Sequence, residues 1–194
     1  DCCGDESGLL DAGLGDAAAT LATEGFTALW HGRPAHPGDL LTDTEMAAGL
    51  LSALVERGRA EVDELGRLTG IHGLTLGRTR HSIEHAGHTH HTWCAFDAVG
   101  IPAALGITAT ARTDCPACGQ ELAVELNAGI PARLPFVVWL PGGDCADLRA
   151  DFCAHADMYC SPDHLARHID TTNIAGNALD LADAASLGRG TWAD

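Results

Sequence analysis

Apolar positions recur with a helical period in the first third of the chain and with strand-like alternation after it, and that change of period sets the expected architecture. Residues 15–30, from Gly15-Asp16-Ala17-Ala18-Ala19-Thr20-Leu21 onward, read as a first helix stopped by His31-Gly32-Arg33-Pro34. Thr44 to Arg57 predicts a second helix, because Met46, Leu50, Leu51, Leu54 and Val55 follow helical spacing and Gly58 supplies the stop. Ala60 to Leu68 reads as a third short helix, after which Gly70-Ile71-His72-Gly73-Leu74-Thr75-Leu76-Gly77 punctuates the chain into strands. Three small helices followed by a β-hairpin is the order of a winged helix-turn-helix.

The period then shortens. Thr79 to Glu84 and His88 to Trp93 predict two strands around a turn at Ala86-Gly87. From Cys94 to Leu105 the pattern returns to a helical, apolar one, which puts Cys94 at a helix N-terminus and Asp97 on the same face within one turn. Orphan N–H groups and the helix dipole favour an anion there, so the Cys94 thiolate is expected to form more readily than usual. Further strands are predicted over Ile107–Asp114, Leu122–Leu126 and Leu134–Leu140, with Pro135 marking an edge or bulge. Asp144 to Asp151 reads as a helix N-capped by Asp144, delivering Phe152-Cys153 into a final strand that ends near Tyr159. Pro162–His168 and Leu179–Trp192 read as closing helices. The expected fold is α+β: an N-terminal helical, winged-helix-like unit over residues 1–80, then a mainly antiparallel sheet core flanked by helices over residues 81–194.

Composition narrows the function. With 194 residues, 46% of them hydrophobic, the chain can bury a substantial core and is not a disordered one. A net charge of −16, with all eleven basic residues arginine, argues against nucleic acid as a partner. Between Glu56 and Arg80 five arginines face four acids, a local net of +1, so the winged-helix-like unit reads as a structural cap and not a DNA reader. No apolar run of about 18 residues is present to span a membrane. No basic n-region followed by an apolar stretch opens the sequence, which makes a cytoplasmic protein with reduced thiols the expectation for its eight cysteines.

The candidate chemistry sits in two cysteine patches, Trp93-Cys94-Ala95-Phe96-Asp97 and Asp151-Phe152-Cys153. Two thiols from distant segments can grip a soft metal that oxygen and nitrogen ligands hold poorly, and a carboxylate beside them can move a proton. Taken singly, each cysteine reads as a small buried hydrophobe and Asp97 as a first-turn acid favouring the helix dipole. Asp114-Cys115-Pro116-Ala117-Cys118-Gly119 is a C-x-x-C knuckle without a second pair at standard spacing, although Cys145 or Cys160 could complete a site by folding. It reads equally as structural thiols or as an auxiliary site for a soft metal or zinc. The histidines His81, His85, His88, His90 and His91 read as solvated residues around a turn, and His155, Asp157 and Tyr159 as neighbours on the pocket wall that carries Cys153. Cys2-Cys3 is a candidate soft-metal transfer pair, with an inert terminus as the alternative.

From Gly73 to Cys160 the chain resembles the organomercurial (alkylmercury) lyases. The stretches that carry the likeness are Gly73-Leu74-Thr75-Leu76, Trp93-Cys94-Ala95-Phe96-Asp97, Pro102-Ala103-Ala104-Leu105-Gly106, Thr110-Ala111-Arg112 and Asp147-Leu148-Arg149-Ala150-Asp151-Phe152-Cys153. The resemblance implies a catalytic trio of Cys94, Asp97 and Cys153, all three also candidate mercury ligands. It implies carbon–mercury bond cleavage by protonolysis, giving a hydrocarbon and protein-bound Hg(II), as part of mercury detoxification. No organic cofactor is implied. External low-molecular-weight thiols, or a mercuric reductase, would take up the Hg(II), and neither nucleic acid nor membrane is an expected partner. The rival expectation is a thiol-based mercury or zinc carrier, or a metal-responsive regulator, without lyase activity.

Overall fold

Two antiparallel sheets, six α-helices and one π-helical turn account for the regular structure among the described residues of the computed structural model, which are 15–143, 145–172 and 174–192. The larger sheet has eight strands in the order β1-β2-β3-β5-β4-β6-β7-β8: β1 Ala60–Val62, β2 Leu68–Ile71, β3 Leu74–Thr75, β4 His81–His85, β5 His88–Thr92, β6 Ala109–Asp114, β7 Glu121–Asn127 and β8 Ile130–Pro131. Its alternation explains its one-sided burial. Leu122, Val124 and Leu126 of β7, with Ala109, Ala111 and Thr113 of β6, face inward, and the residues between them face out.

Helix α4, Ala95–Ala104, lies against that inner face and is buried from Ala95 to Ala103. Its small residues let α6, Leu181–Thr191, approach closely: a methyl group added at Gly188 would stand 2.3 Å from the Gly100 Cα. The second sheet places β9, Val137–Pro141, between β10, Asp157–Tyr159, and β11, Gly176–Leu179. Pro135 precedes β9, which is a central strand and not an edge, so the proline ends the preceding loop outside the ladder.

The N-terminal part contains α1 Asp16–Trp30, α2 Pro37–Leu40 and α3 Thr44–Glu56. Helix α3 buries Ala47, Leu51 and Leu54, whereas Met46 is 51% exposed, so the apolar stripe is narrower than its sequence pattern. The helix expected over Ala60–Leu68 is instead the β1–β2 hairpin. The Asp63 carboxylate accepts the N–H groups of Leu65 and Arg67 and pairs with the Arg67 guanidinium at 2.6 Å, and Gly66 takes a positive φ of 72°. That side-chain turn outcompetes helical hydrogen bonding. One sheet runs without a break from β3 to β5, across residue 80.

The segment before Cys153 also differs from expectation. Asp144 lies outside the described residues, and the turn that forms is a single π-helical one over Leu148–Cys153. Asp147 caps it by accepting the N–H groups of Arg149 and Ala150. Cys153 therefore closes a helical turn and does not head a strand. The strand near Tyr159 is not the last one, since α5, Pro162–Thr172, and β11 follow it before α6. No helix among the described residues is long and apolar enough to cross a membrane.

The contact between Gly100 and Gly188 is the tightest constraint on how α4 sits. Gly188→Val is expected to lower stability by about 1–3 kcal/mol through overpacking, read as an earlier urea midpoint with an unchanged slope.

Candidate active site

Strand β5 runs through Trp93 directly into the start of α4, so Cys94 takes the N-cap position with extended backbone, φ −144° and ψ 174°. The Cys94 N–H donates to the Asp97 carboxylate at 3.0 Å, the third-position acid of a capping box, which fixes the carboxylate beside the thiol. The Ala95 N–H donates to the Ala156 carbonyl at 3.1 Å and ties the helix start to the segment just past Cys153. From the other side, the π-helical turn is held by the Leu148 N–H donating to the Arg57 carbonyl at 3.0 Å. Arg149 pairs with Glu61 at 2.6 Å and lies over the Trp93 ring, 5.5 Å from its centre. These restraints bring the ligand atoms of Cys94, Asp97 and Cys153 within 4.8 Å of one another.

All three are buried, with residue exposures of 0%, 5% and 7% in that order. Burial pushes the Cys94 thiol well above its usual range, the Cys153 hydrogen bond and the Asp97 charge push the same way, and the Asp97 backbone interaction opposes them only in part. The helix N-terminus is thus outweighed, and the expectation of an easily formed Cys94 thiolate is corrected: the resting group is a thiol. For Cys153 the hydrogen bond from Cys94 acts downward, but burial and the Asp97 charge leave it raised. Burial pushes Asp97 up to about 7 against the pull of its Cys94 hydrogen bonds, so this carboxyl exchanges a proton near neutrality.

A narrow cleft whose walls include Leu54, His72, Trp93, Phe152 and Trp192 reaches Asp97 and Cys153, with Cys94 behind them. Gly73 is a structural condition of the site. Its φ is +83°, and a methyl group there would stand 2.7 Å from the Asp97 carboxyl carbon. The adjacent His72 carbonyl accepts the Trp192 indole N–H at 3.0 Å, which closes the C-terminal helix over the same corner.

The profile of the alkylmercury lyase family matches residues 74–193, a stretch containing Cys94, Asp97 and Cys153. An alkylmercury lyase from Pseudomonas putida is 32% identical over 149 residues, covering 74% of this chain and 70% of that protein. This chain belongs to the alkylmercury lyase family. The namesake from Streptomyces lividans is 34% identical over 142 residues, covering 71% and 65%, and the one from Bacillus cereus 28% over 133 residues, covering 66% and 60%. The aligned stretch thus spans between 60% and 70% of these relatives' lengths. The fold is shared with the crystal structure of the mercury-bound form of MerB2, at a TM-score of 0.85 and 21% identity over 96% of this chain and 95% of that one. The family is one of carbon–mercury lyases.

Other residues singled out in this alkylmercury lyase family member fall elsewhere. Asp157 pairs with Arg80 and does not line the cleft, nor do His155 and Tyr159. His81 is buried, in a hydrogen bond of 2.7 Å with Thr113, and burial with the nearby Arg80 charge holds it down at about 3, a neutral core histidine. His90 stacks on Trp30 with ring centres 4.0 Å apart, so neither residue is the solvated turn histidine expected. Cys115 and Cys118 gather with Cys160 and His164, a second group apart from the trio. His164 is outside the set expected from sequence, although Cys160-Ser161-Pro162-Asp163-His164 is a C-x₃-H pair legible there. Cys94, Cys115, Cys118, Cys153 and Cys160 are free thiols. Cys2 and Cys3 lie outside the described residues.

The raised Asp97 has a definite linkage sign. Its folded value of about 7 lies above the reference of 3.8, so its contribution is fully favourable below pH 3.8 and is lost as pH rises through 7. Asp97→Asn removes this titration. The stability of the variant minus that of wild type is therefore expected to climb by about 2–4 kcal/mol between pH 4 and pH 8 in paired urea melts; a flat difference would contradict the buried acid.

Proposed function

We propose that this chain cleaves organomercurial carbon–mercury bonds by protonolysis, with Cys94, Cys153 and Asp97 as the reacting groups. The observation that carries the reading is the enclosure of two thiols and one carboxyl, from opposite sides of the site, within 4.8 Å and away from water.

The proton and charge balance follows from the resting states. A substrate R–Hg–SR′ exchanges its thiolate for Cys94, and R′–SH leaves with the Cys94 proton. The Cys153 thiol then joins the mercury and passes its proton to Asp97. A carboxyl titrating near 7 can take that proton from a metal-bound thiol and return it to carbon. The Hg–C bond breaks, R–H departs, and Hg(II) remains between two thiolates as a neutral unit. Asp97 is also a candidate third ligand. No organic cofactor enters this scheme, and Hg(II) is its product. Buried dithiolate mercury needs an acceptor, so low-molecular-weight thiols or a mercuric reductase would receive it, and the reading places the protein in the cytoplasm.

Residues 1–80 are proposed to act as a cap over residues 81–194. Leu54, Arg59 and His72 from the first part stand in the cleft wall beside Phe96 and Cys153 from the second. The local net charge of +1 between Glu56 and Arg80 gives no footprint for DNA.

Incubation with phenylmercury or methylmercury and excess thiol should release benzene or methane. Asp97→Ala is expected to keep Hg(II) binding while slowing release by about 10²–10⁴-fold, and Cys94→Ala or Cys153→Ala to abolish it. Tight Hg(II) binding by wild type without hydrocarbon would leave a carrier in place of a lyase.

A further inference from the structure

The second thiol group lies where two sheets meet. Cys115 and Cys118 form the turn between β6 and β7, while Cys160 follows β10 and His164 sits in the first turn of α5. The turn is tight: the Cys118 and Gly119 N–H groups both donate to the Cys115 carbonyl, at 3.3 and 2.8 Å, and Gly119 takes φ 71°. All four ligand atoms fall within 4.8 Å of one another. The Cys118 and Cys160 sulfurs are 3.8 Å apart, the Cys115 sulfur is 3.7 Å from His164 Nδ1, and the Cys160 sulfur is 3.0 Å from it. A tetrahedron built on Zn–S bonds near 2.3 Å and a Zn–N bond near 2.1 Å has S···S edges of about 3.8 Å and S···N edges of about 3.6 Å, so two of these separations need little change and the Cys160–His164 pair opens by about 0.6 Å to admit the ion.

We propose that Cys115, Cys118, Cys160 and His164 form a closed, four-coordinate site for a zinc ion that staples the β6–β7 turn to the β10–α5 junction. Three thiolates and an imidazole suit zinc, and four protein ligands leave no open position for substrate, so the site is structural. A C-x₂-C pair on one turn and a C-x₃-H pair entering a helix are short-range clips that fold without long-range strain. The ion joins the eight-stranded sheet to the three-stranded one, and stabilises the fold because an unfolded chain cannot present the four ligands together. The proposal is independent of the lyase reading, since neither Cys94, Asp97 nor Cys153 belongs to it.

The test is metal content. The full chain, expressed in zinc-supplemented medium and purified under reducing conditions without chelator, should carry one zinc per chain by elemental analysis. Cys160→Ser and His164→Ala should lose it, and a Cys94→Ser/Cys153→Ser double variant should keep it. Replacement by Co²⁺ in the wild-type chain should give the visible bands of a tetrahedral thiolate–imidazole ion, a readout that survives if the variants fail to fold. Wild-type protein that takes up no zinc on reconstitution with Zn²⁺ and thiol, or that gives no tetrahedral cobalt spectrum, overturns the proposal. So does zinc that disappears with Cys94 and Cys153 but stays in Cys160→Ser. Hydrocarbon release plays no part in these readings, so either proposal can fail while the other stands.

Discussion

The structure depends on keeping two thiols and a carboxyl together out of water without ionising them all. Three anions in contact in a buried corner would repel and lose hydration, so the resting thiols keep their protons while the carboxyl exchanges its own: burial raises both thiols and brings Asp97 to about 7. Such a site is poised for a cation that replaces protons one for one. Mercury bound by two thiolates is neutral, so the burial that opposes thiolate formation in the resting protein favours the metal complex. Zinc held by the second group, proposed above, would answer the same problem differently, with a fourth ligand and no proton to spare.

Holding that corner sets demands on the rest of the fold. The carboxylate is aimed by its capping bond to the Cys94 N–H, which needs a helix starting at Cys94, and the helix can be buried on every side because its residues are small or apolar. Gly73 leaves the space that Asp97 fills, and the Trp192 indole braces the neighbouring carbonyl. Cys153 arrives on a π-helical turn whose cap, Asp147, occupies the space over Gly58 that a side chain there would need. A one-residue change of pitch in that turn would rotate Cys153 away from Cys94, which gives the unusual turn a reason to be there.

Much of this was legible in the chain. The helix starting at Cys94, the β4–β5 hairpin around Ala86-Gly87 and the alternation of Leu122, Val124 and Leu126 rest on local signals that tertiary packing did not override. The Ala60–Leu68 segment misled because its apolar spacing resembles a helix, while the deciding feature is the Asp63 carboxylate gathering nearby N–H groups. The stretch ending at Cys153 misled because a π-helical turn has no sequence period of its own. The Cys94 ionisation was misjudged because helix position is visible in sequence and desolvation is not. Proximity of the trio was suggested by resemblance and lies beyond periodicity; the C-x₃-H pair was visible but unpaired until β10 brought it to the β6–β7 turn.

The central claim is that one mercury atom is shared by Cys94 and Cys153 after a turnover. Wild-type chain treated with one equivalent of phenylmercury, and examined by X-ray absorption at the mercury edge, should show loss of the carbon ligand and two Hg–S bonds that vanish together in the Cys94→Ser/Cys153→Ser variant. Mercury that keeps its carbon ligand, or that keeps the same two sulfur ligands in that variant, would contradict the account.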